Sequence, residues 1–419
     1  MNANNEIARG PSLAGIRVLD LARVLAGPTC TQVLADLGAD VVKVERPRTG
    51  DDTRMWGPPW LPQSDTETRR DSAYFSSANR NKRSIAIDLA SEAGADLVRT
   101  LARQADVLVE NYKVGDLARR GLDYDSLSKV NPRLVYCSIT GFGQTGPLKD
   151  LPGYDYIFQA VGGLMSMTGH PDDAPGGGPM RIGASVVDLA TGLYSGIAIL
   201  AALRERDRSG LGQYIDMALF DSVATLSCHQ AATYFQSGVV PQRLGNSSSG
   251  IMTPYETFKC ADGHLVIAVG NDTQWRSLCS AIGRDDLAAD PRFNSPAGRS
   301  GNKPLIVAEL LRTFATMTVA DLQSRLDAAG VANGPINDLE QVFSMEQAKH
   351  RGIKVSLPRS DGVDVPCVAN PIRMSATPVQ YRAAAPKLGE HTDSVLSDWL
   401  QAQGATIADW RERGAFGKA

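Results

Sequence analysis

The first third of the sequence alternates short apolar runs with segments of helical periodicity. Five runs have the length and composition of strands, namely IRVLDL, ADVVKVE, SIAIDL, DVLVENY and RLVYCSITG. Helical segments such as TCTQVLADLG lie between them. Strands separated by helices predict parallel βαβ units and an α/β fold, with ligands bound at the carboxyl ends of the strands. Arg46, Asn111, Tyr112 and the sequence GFGQTG follow those ends.

The sequence GFGQTG, residues 141–146, matches the dinucleotide-binding pattern G-x-G-x-x-G letter for letter. In that motif the third glycine opens a helix whose N-terminus faces a pyrophosphate. Here Pro147 follows at once, Pro152 comes soon after, and the intervening segment lacks a helical apolar period. A glycine-rich loop that leaves a strand is therefore a better interpretation than a nicotinamide or flavin site.

Composition narrows the class of protein. The chain has 419 residues, enough for roughly two or three domains. A net charge of −3 argues against nucleic acid as the main partner. The six cysteines and five histidines have no C-x-x-C or H-x-x-x-H spacing, so no metal site is predicted. The polar N-terminus lacks an apolar signal core, and the apolar run GLYSGIAILAAL is shorter than the ~20 residues that span a bilayer. We expect a cytoplasmic protein with no membrane partner.

Asp188 is the acidic residue that the sequence singles out, because it stands at the start of a long apolar helix. An aspartate there is either an ordinary N-cap or a carboxylate nucleophile whose pKa the helix N-terminus holds low. The other acidic candidates are Asp155, Asp36, Asp40, Asp51 and Asp52. Neither a G-x-S-x-G elbow nor a P-loop is present in the sequence. The residues alone therefore indicate an α/β enzyme that binds an anionic, nucleotide-like ligand.

Several blocks of the sequence, taken together and in their order along the chain, resemble one known family. They include LAGIRVLDLARVLAGP, GADVVKVERPRTGDDTR, NRNKRSIAIDL, DVLVENYKVGDLARRGLDYDSL, NPRLVYCSITGFGQTGP, GYDYIFQAVGGLMSMTG, DLATGLYSGIAILAAL and PKLGEHTD. In this order, over nearly the whole chain, they resemble the class III CoA-transferase family. The resemblance implies a ring-shaped chain with a Rossmann-like large domain, built from 1–220 and 330–419, and a smaller α/β domain at 245–325. It also implies that two such chains interlock as an obligate homodimer.

The same resemblance implies a set of site residues. It places the family's nucleophile on Asp188. The positions implied to contact CoA are Val24, Leu25, Ala26, Arg46, Ile87, Ala90, Asn111, Tyr112, Arg119, Thr140, Gly141, Phe142 and Gly143. Backbone N–H groups at 141–143, or those of the glycine- and serine-rich stretch 245–250, are expected to stabilise an oxyanion. Coenzyme A and acyl-CoA are then substrates, and neither a tightly bound cofactor nor a metal is expected.

The resemblance is closest to transferases that move CoA from succinyl-CoA to a short dicarboxylic acid. Glutarate is the first choice of acceptor, and itaconate, mesaconate, malate and citramalate are alternatives. The second carboxylate of such an acid needs a cationic partner in a closing site, and the arginine fork meets both of its oxygens. The candidates are Arg54, Arg80, Arg83 and Arg181, each of which is otherwise an ordinary surface ion pair.

Related activities remain as alternatives. Formyl-CoA:oxalate transferases have glutamine and lysine where this chain has Leu25 and Thr140, which argues against oxalate. The α-methylacyl-CoA racemases pair the aspartate with a histidine in the sequence GHD. This chain has Tyr154 in place of that histidine, so the second acid–base group of the racemases is missing. A CoA-binding sensor without activity is the non-enzymatic alternative.

Overall fold

The computed structural model describes residues 10–62, 71–247 and 252–417. The chain divides into two compact units. The larger unit comprises Met1–Gly163, Ile182–Ala232 and Gln347–Ala419, and the smaller unit comprises Leu164–Arg181 and Thr233–Glu346. The smaller unit is thus longer than the predicted domain at 245–325, and it includes a segment that comes before Asp188 in the sequence.

Six strands of the larger unit form one sheet in which all neighbours run parallel. They are β1 Arg17–Asp20, β2 Asp40–Glu45, β3 Arg83–Ala86, β4 Val107–Glu110, β5 Val135–Thr140 and β6 Tyr214–Ala218. The predicted α/β class with a parallel sheet is confirmed. The strand order is β3-β2-β1-β4-β5-β6, so the order reverses between β1 and β4. Doubly wound folds bind their ligands at this point, outside the carboxyl ends of the strands.

Helices connect these strands and continue through both units. In chain order they are α1 Ala26–Asp36, α2 Ala73–Ser77, α3 Glu92–Ala102, α4 Tyr124–Leu127, α5 Asp155–Val161, α6 Leu164–Met167, α7 Val186–Ser209, α8 Leu219–Leu226, α9 Cys228–Ser237, α10 Asp272–Ala281, α11 Asp285–Ala289, α12 Pro296–Gly301, α13 Lys303–Phe314, α14 Val319–Ala328, α15 Leu339–Ser344, α16 Glu346–Arg351, α17 Thr392–Leu400 and α18 Gly404–Glu412. Short 3₁₀ turns lie at Asp52–Met55 and Ala118–Arg120.

Helix α3 illustrates how the local sequence makes these helices. The Ser91 side chain accepts a hydrogen bond from the Gly94 N–H at 3.0 Å and so satisfies one of the unpaired N–H groups of the first turn. Leu97, Val98 and Leu101 lie on one face and are fully buried in the core of the larger unit. Burial of each of these side chains contributes about 1.5–3 kcal/mol relative to exposure.

Helix α7 has 24 residues and carries a buried face and an exposed apolar face. Thr191, Gly192 and Ser195 are buried, and the helix packs against α1. Leu193 and Ile197, on the other side, are exposed. Among the described residues, α7 alone is long and apolar enough to cross a membrane by length and composition. The apolar run GLYSGIAILAAL covers only the middle of this helix, which continues to Ser209 through turns rich in arginine and aspartate.

The C-terminal part of the chain returns to the larger unit. Before this return, the chain forms the antiparallel strands β7–β9 of the smaller unit, at Tyr255–Lys259, His264–Ala268 and Ala332–Pro335. A hairpin of β10 Lys354–Pro358 and β11 Asp364–Val368 follows. The His391 N–H then donates to the Ser84 carbonyl at 2.9 Å, and Trp399 and Trp410 join the core that contains Leu19.

The smaller unit has a core of its own. Phe258, Trp275 and Phe314 are among its fully buried side chains. The predicted limit at residue 325 leaves out β9, in which Asn333 pairs with Ile267 of β8. This pairing joins residues far apart in the sequence, so the local apolar pattern gives no sign of it.

Candidate active site

A cavity of about 440 Å³ lies at the carboxyl ends of β1, β4 and β5, beside the N-terminus of α7. Eight of the sequence-predicted site residues line it, namely Val24, Leu25, Ala26, Asn111, Tyr112, Thr140, Gly141 and Asp188. The fold thus brings the predicted nucleophile together with predicted CoA-contact positions from three strand ends. This is the crevice at which the strand order reverses.

Asp188 lies in the first turn of α7, which begins at Val186. It is therefore inside the helix and is not its N-cap. The N–H groups of Val187 and Asp188 donate to the carboxylate of Asp155 at 2.8 and 3.1 Å. Asp155, at the start of α5, consequently supplies the negative charge that a helix N-terminus favours.

The carboxyl group of Asp188 has an altered acidity. Burial raises the pKa of Asp188 to about 7, and the neighbouring charge of Asp155 contributes to the rise. The low pKa expected for Asp188 is therefore corrected, because burial disfavours its charged form. In addition, Asp155 takes up the N–H groups of Val187 and Asp188 at the start of the helix. A carboxyl group in a cleft with a pKa near neutrality is characteristic of functional sites.

Tyr74 is a neighbour of Asp188 that the sequence analysis missed. Burial raises the pKa of the Tyr74 hydroxyl, the negative charge of Asp188 raises it further, and a hydrogen bond with Ser185 acts in the opposite direction. The Tyr74 ring packs edge-on against Trp56, with centroids 5.2 Å apart. Since α2 and α7 are far apart in the sequence, only the fold brings Tyr74 near Asp188.

The loop GFGQTG begins where β5 ends. Gly143 has a φ of +87°, in the left-handed region that glycine adopts without a steric penalty. The Phe142 ring packs against Phe158 and Phe220, with centroid distances of 5.0 and 5.6 Å. The next helix along the chain is α5, at Asp155–Val161, so no helix N-terminus follows the glycines as a dinucleotide site requires.

Thr140, the last residue of β5, has an unsatisfied hydroxyl. Its side-chain oxygen is buried and has no hydrogen-bond partner among the described residues. The residue also lines the cavity. A buried polar group without a partner is costly, so this hydroxyl is a candidate hydrogen-bond donor of the site.

The remaining predicted CoA-contact residues do not line this cavity. They are Arg46, Ile87, Ala90, Arg119, Phe142 and Gly143. Arg46 and Arg119 lie close to it, since each pairs with an acid of the cavity wall, Asp52 and Asp116 respectively. Ile87 is buried and its N–H donates to the Glu45 carbonyl at 2.9 Å. A contact of these six residues with CoA remains a prediction.

Arg54, predicted to hold a substrate carboxylate, has a structural role instead. It is fully buried, and its guanidinium donates to both oxygens of Glu45 at 2.7 and 2.6 Å. It also pairs with Asp71 at 3.0 Å and lies 3.7 Å from the centroid of the Phe75 ring. This corrects the prediction, because the arginine fork is filled by carboxylates of the protein.

Arg80 and Arg83, also predicted to hold a substrate carboxylate, do not line the cavity. Arg80 is buried and donates to Asp36 at 2.6 and 3.0 Å. Arg83 donates to Asp40 at 2.6 and 3.0 Å. The prediction that Arg80 and Arg83 hold a substrate carboxylate is therefore corrected, because carboxylates of the protein already occupy both guanidinium groups, as in Arg54. Arg181 belongs to the smaller unit and is exposed, and its role as a substrate clamp remains a prediction.

The cavity wall contains cationic residues that the sequence analysis missed. They are Arg23, Lys113 and Lys149. Lys113 comes directly after one predicted strand and Arg23 comes two residues after another, so both positions could have been predicted from the rule that ligands bind at the carboxyl ends of strands. The Arg23 backbone is held on both sides by Asn111, whose Oδ1 accepts from the Arg23 N–H at 2.9 Å and whose Nδ2 donates to the Arg23 carbonyl at 2.7 Å.

The predicted oxyanion role of residues 245–250 and the possibility of a metal site were also considered against the structure. The stretch 245–250 belongs to the smaller unit and lies partly outside the described residues, so its predicted role in oxyanion binding stays a prediction. Within the described ranges, no group of three or more His, Cys, Asp or Glu side chains is placed to hold a metal ion.

Comparison with known proteins identifies the family. Residues 13–392 match the model of CoA-transferase family III. The chain is 48% identical to a succinate–glutarate CoA-transferase of Agrobacterium fabrum, with 93% of this chain and 96% of that protein covered. It is 41% identical to a succinyl-CoA:glutarate CoA-transferase of Mus musculus, over 93% of this chain and 86% of that protein.

A solved structure agrees with these matches. The fold superposes on a CaiB/BaiF family protein from Brucella suis with a TM-score of 0.83 and 44% identity, covering 93% of this chain and 100% of that one. The matches extend over almost all of the described fold, including the loops that form the cavity. The chain therefore belongs to the class III CoA-transferase family and is a CoA-transferase.

Proposed function

We propose that this enzyme transfers CoA from succinyl-CoA to a short dicarboxylate, with glutarate as the first acceptor, through a covalent intermediate on Asp188. The observation that carries the proposal is the position of Asp188. Its carboxyl group shares one cavity with the strand-end residues Leu25, Asn111 and Thr140, which occupy positions implied to contact CoA. The relatives named for succinyl-CoA and glutarate support this donor and this acceptor.

The proposed reaction consists of four acyl transfers. The Asp188 carboxylate attacks the thioester carbonyl of succinyl-CoA, and the C–S bond breaks to give a mixed anhydride and CoA thiolate. The thiolate attacks the aspartyl carbonyl, which releases succinate and leaves an aspartyl-CoA thioester. The acceptor carboxylate attacks that thioester and expels the thiolate again. The thiolate then attacks the acceptor's carbonyl, which gives the new acyl-CoA and frees Asp188.

Each tetrahedral intermediate places a negative charge on a carbonyl oxygen, and that charge requires fixed donors. The Thr140 hydroxyl supports the proposal as one donor, because it is buried, lines the cavity and lacks a protein partner among the described residues. The backbone N–H groups at 141–143 are the other candidates. Such donors act most strongly where water is excluded, since the local dielectric is low there.

The acceptor's second carboxylate needs a cation. We keep Arg181 as the proposed clamp, because it comes shortly before Asp188 in the sequence. The cations Arg23, Lys113 and Lys149 of the cavity wall are better suited to the phosphates of CoA, which carry most of its negative charge.

A panel of acceptors tests the substrate class. We expect purified enzyme to exchange labelled succinate into succinyl-CoA and to form glutaryl-CoA with a higher kcat/KM than butyryl-CoA. Asp188→Asn should abolish both reactions, because an amide is not a nucleophile. Arg181→Gln should lower kcat/KM for glutarate while the matched change of another exposed arginine of the smaller unit, Arg276→Gln, leaves it unchanged.

Other outcomes of the panel point to other functions. Equal kcat/KM for butyrate and glutarate contradicts the dicarboxylate proposal while leaving CoA transfer intact. Deuterium uptake at the α-carbon of a 2-methylacyl-CoA without any acceptor acid indicates a racemase. Tight CoA binding with neither reaction indicates a sensor.

A further inference from the structure

The loop between β1 and α1 contains a strained residue. Val24 has a φ of 70°, a left-handed conformation that is a genuine outlier for a β-branched side chain. Val24, Leu25 and Ala26 then form part of the cavity wall, and α1 begins at Ala26. Strained residues persist only where the surrounding structure holds them, and they are concentrated at functional sites.

Buried side chains hold the backbone that leads into this strained residue. The Ala22 carbonyl accepts a hydrogen bond from the Lys43 Nζ at 2.8 Å. The Ala22 N–H donates to Asp20 at 3.0 Å, and the Val24 N–H donates to the two oxygens of Asp51 at 3.3 and 3.4 Å. Lys43 lies on β2 and Asp51 follows it in the next loop, so neighbouring strand ends hold the bend in the chain.

Lys43 and Asp51 are themselves a buried ion pair. Their charged atoms are 3.0 Å apart, and both side chains are inaccessible to solvent. Burial alone would raise the pKa of Asp51, but the Lys43 charge and the Thr53 hydrogen bonds outweigh burial and hold that pKa at about 2. Replacing a buried ion pair with apolar residues is often neutral for stability. Asp51 also accepts hydrogen bonds from the N–H and hydroxyl of Thr53, and the other bonds of the pair go to the backbone of Ala22 and Val24. Stability alone is therefore a weak reason for this pair.

We propose that the buried Lys43–Asp51 pair is a positioning device that holds the backbone of Ala22 and Val24 in the left-handed bend from which Leu25 and Ala26 present a preformed wall to the acyl-CoA. This inference rests on the proposed function, since it names acyl-CoA as the ligand. Neither Lys43 nor Asp51 lines the cavity, so both act through the loop. The pair lowers the cost of binding because the strained conformation is already formed in the free enzyme.

The double variant Lys43→Met/Asp51→Asn tests the proposal without leaving one buried charge unpaired. We expect the Kd for CoA, measured by calorimetry, and the KM for succinyl-CoA to rise about 10-fold, equivalent to about 1.4 kcal/mol, while kcat changes much less. The matched control is Arg206→Met/Asp106→Asn, which removes a 2.8 Å ion pair at the other end of β4. It should lower the melting temperature comparably and leave Kd and KM unchanged.

Glycine at position 24 separates positioning from a general loss of stability. Glycine adopts a positive φ without a steric penalty, so removing the pair should matter less in a Val24→Gly background. We expect the 10-fold effect on Kd to shrink to less than about threefold there, as a double-mutant cycle measures. An undiminished effect in the glycine background overturns the proposal, as does an unchanged Kd in the valine background.

Hydrogen exchange on the wild-type enzyme gives an independent reading if the double variant does not fold. A preformed bend predicts slow exchange of the Val24 amide in the absence of CoA, and fast exchange there overturns the proposal. Failure of the wild-type enzyme to bind CoA or exchange succinate contradicts the proposed function itself. If the wild-type enzyme binds CoA and exchanges succinate, and the Lys43→Met/Asp51→Asn variant binds CoA with the same Kd, only the positioning role is contradicted.

Discussion

At the scale of single residues, the pair of Asp188 and Asp155 gives the clearest pH dependence. Burial, followed by the charge of Asp155, raises the pKa of Asp188 to about 7. The nucleophile must be ionised, so protonation below that pH removes activity. We therefore expect kcat/KM to rise with pH up to about 7 and then to level off, since kcat/KM reports the pKa of the free enzyme. An initial-rate series across pH 5–9 with saturating acceptor measures this limb.

Asp155→Asn tests whether the charge of Asp155 contributes to the raised pKa of Asp188. An asparagine oxygen can still accept the N–H groups of Val187 and Asp188, but it carries no charge. We expect the rising limb of the profile to move to lower pH, because an acid next to fewer negative charges loses its proton more readily. Asp221→Asn, which removes an exposed carboxylate from the first turn of α8, should leave the limb in place. A limb that stays fixed in both variants contradicts the role of Asp155.

At the scale of elements, the contact between α1 and α7 positions the two sides of the cavity. A Cβ added at Gly192 of α7 would meet the Ala26 carbonyl oxygen at 2.5 Å and the Thr29 Cβ at 3.1 Å. The two helix backbones therefore approach closely beside the residues that line the cavity. Gly192→Ala should force them apart, lower the free energy of unfolding by about 1–3 kcal/mol and raise the KM for succinyl-CoA.

Gly196 supplies the control for this prediction. It lies one turn further along α7, and a Cβ there would meet no other atom within 4 Å. Gly196→Ala should be neutral or stabilising, because alanine has a higher helix propensity than glycine. Thermal melts and steady-state kinetics of both variants decide the matter. Equal effects of the two alanines would show that helix propensity and not close packing is responsible.

The elements also show what the sequence could predict. The runs IRVLDL and ADVVKVE correspond to β1 and β2, since strands buried on both faces are rich in apolar residues. The run of β2 also contains Lys43 and Glu45, which the fold buries. The strand β6 gave no such signal, since several of its residues are exposed. The strand ends correctly located much of the cavity wall, as the crevice rule for parallel sheets requires.

The partners of buried polar groups could not be predicted in this way. Asp155 caps α7 from a position 33 residues before Asp188. Arg80 is paired with Asp36, 44 residues away. Contacts of this kind depend on which elements the fold brings together, and a local pattern contains no information about them. The substrate role expected for Arg80 was wrong for that reason. The low pKa expected for Asp188 was wrong mainly because the fold buries the carboxyl group, and also because it places Asp155 beside it.

At the scale of the whole molecule, we propose that two chains form an interlocked homodimer, as the family resemblance implies. The exposed face of α7 supports a partner, since Leu193, Tyr194 and Ile197 are all apolar and accessible in the single chain. Tyr156 and Ile157 of the neighbouring α5 are exposed as well. Monomeric soluble proteins rarely expose contiguous apolar patches of this kind.

Two experiments test the association of the chains: dilution of the protein, and a substitution that places a charge on the exposed face of α7. Each chain has a mass of 44.8 kDa, and light scattering should give twice that mass down to nanomolar concentration, because interlocked chains cannot separate while folded. Ile197→Glu, at a position that is 62% exposed in the single chain, should lower the melting temperature or the yield of folded dimer. Arg204→Glu, at an exposed polar position of α7, should do neither. A folded monomer, or an Ile197→Glu variant as stable as wild type, contradicts the interlocked dimer.

Trapping the covalent intermediate shows whether Asp188 is the nucleophile. Enzyme incubated with succinyl-CoA and no acceptor is treated with hydroxylamine, which converts an aspartyl thioester or anhydride to a hydroxamate. Peptide mapping by mass spectrometry then locates the modification. We predict a hydroxamate at Asp188, which forms only when succinyl-CoA is present and does not form in the Asp188→Asn variant. An unmodified Asp188 in enzyme that is turning over, or a modified carboxylate elsewhere such as Asp155, would contradict it.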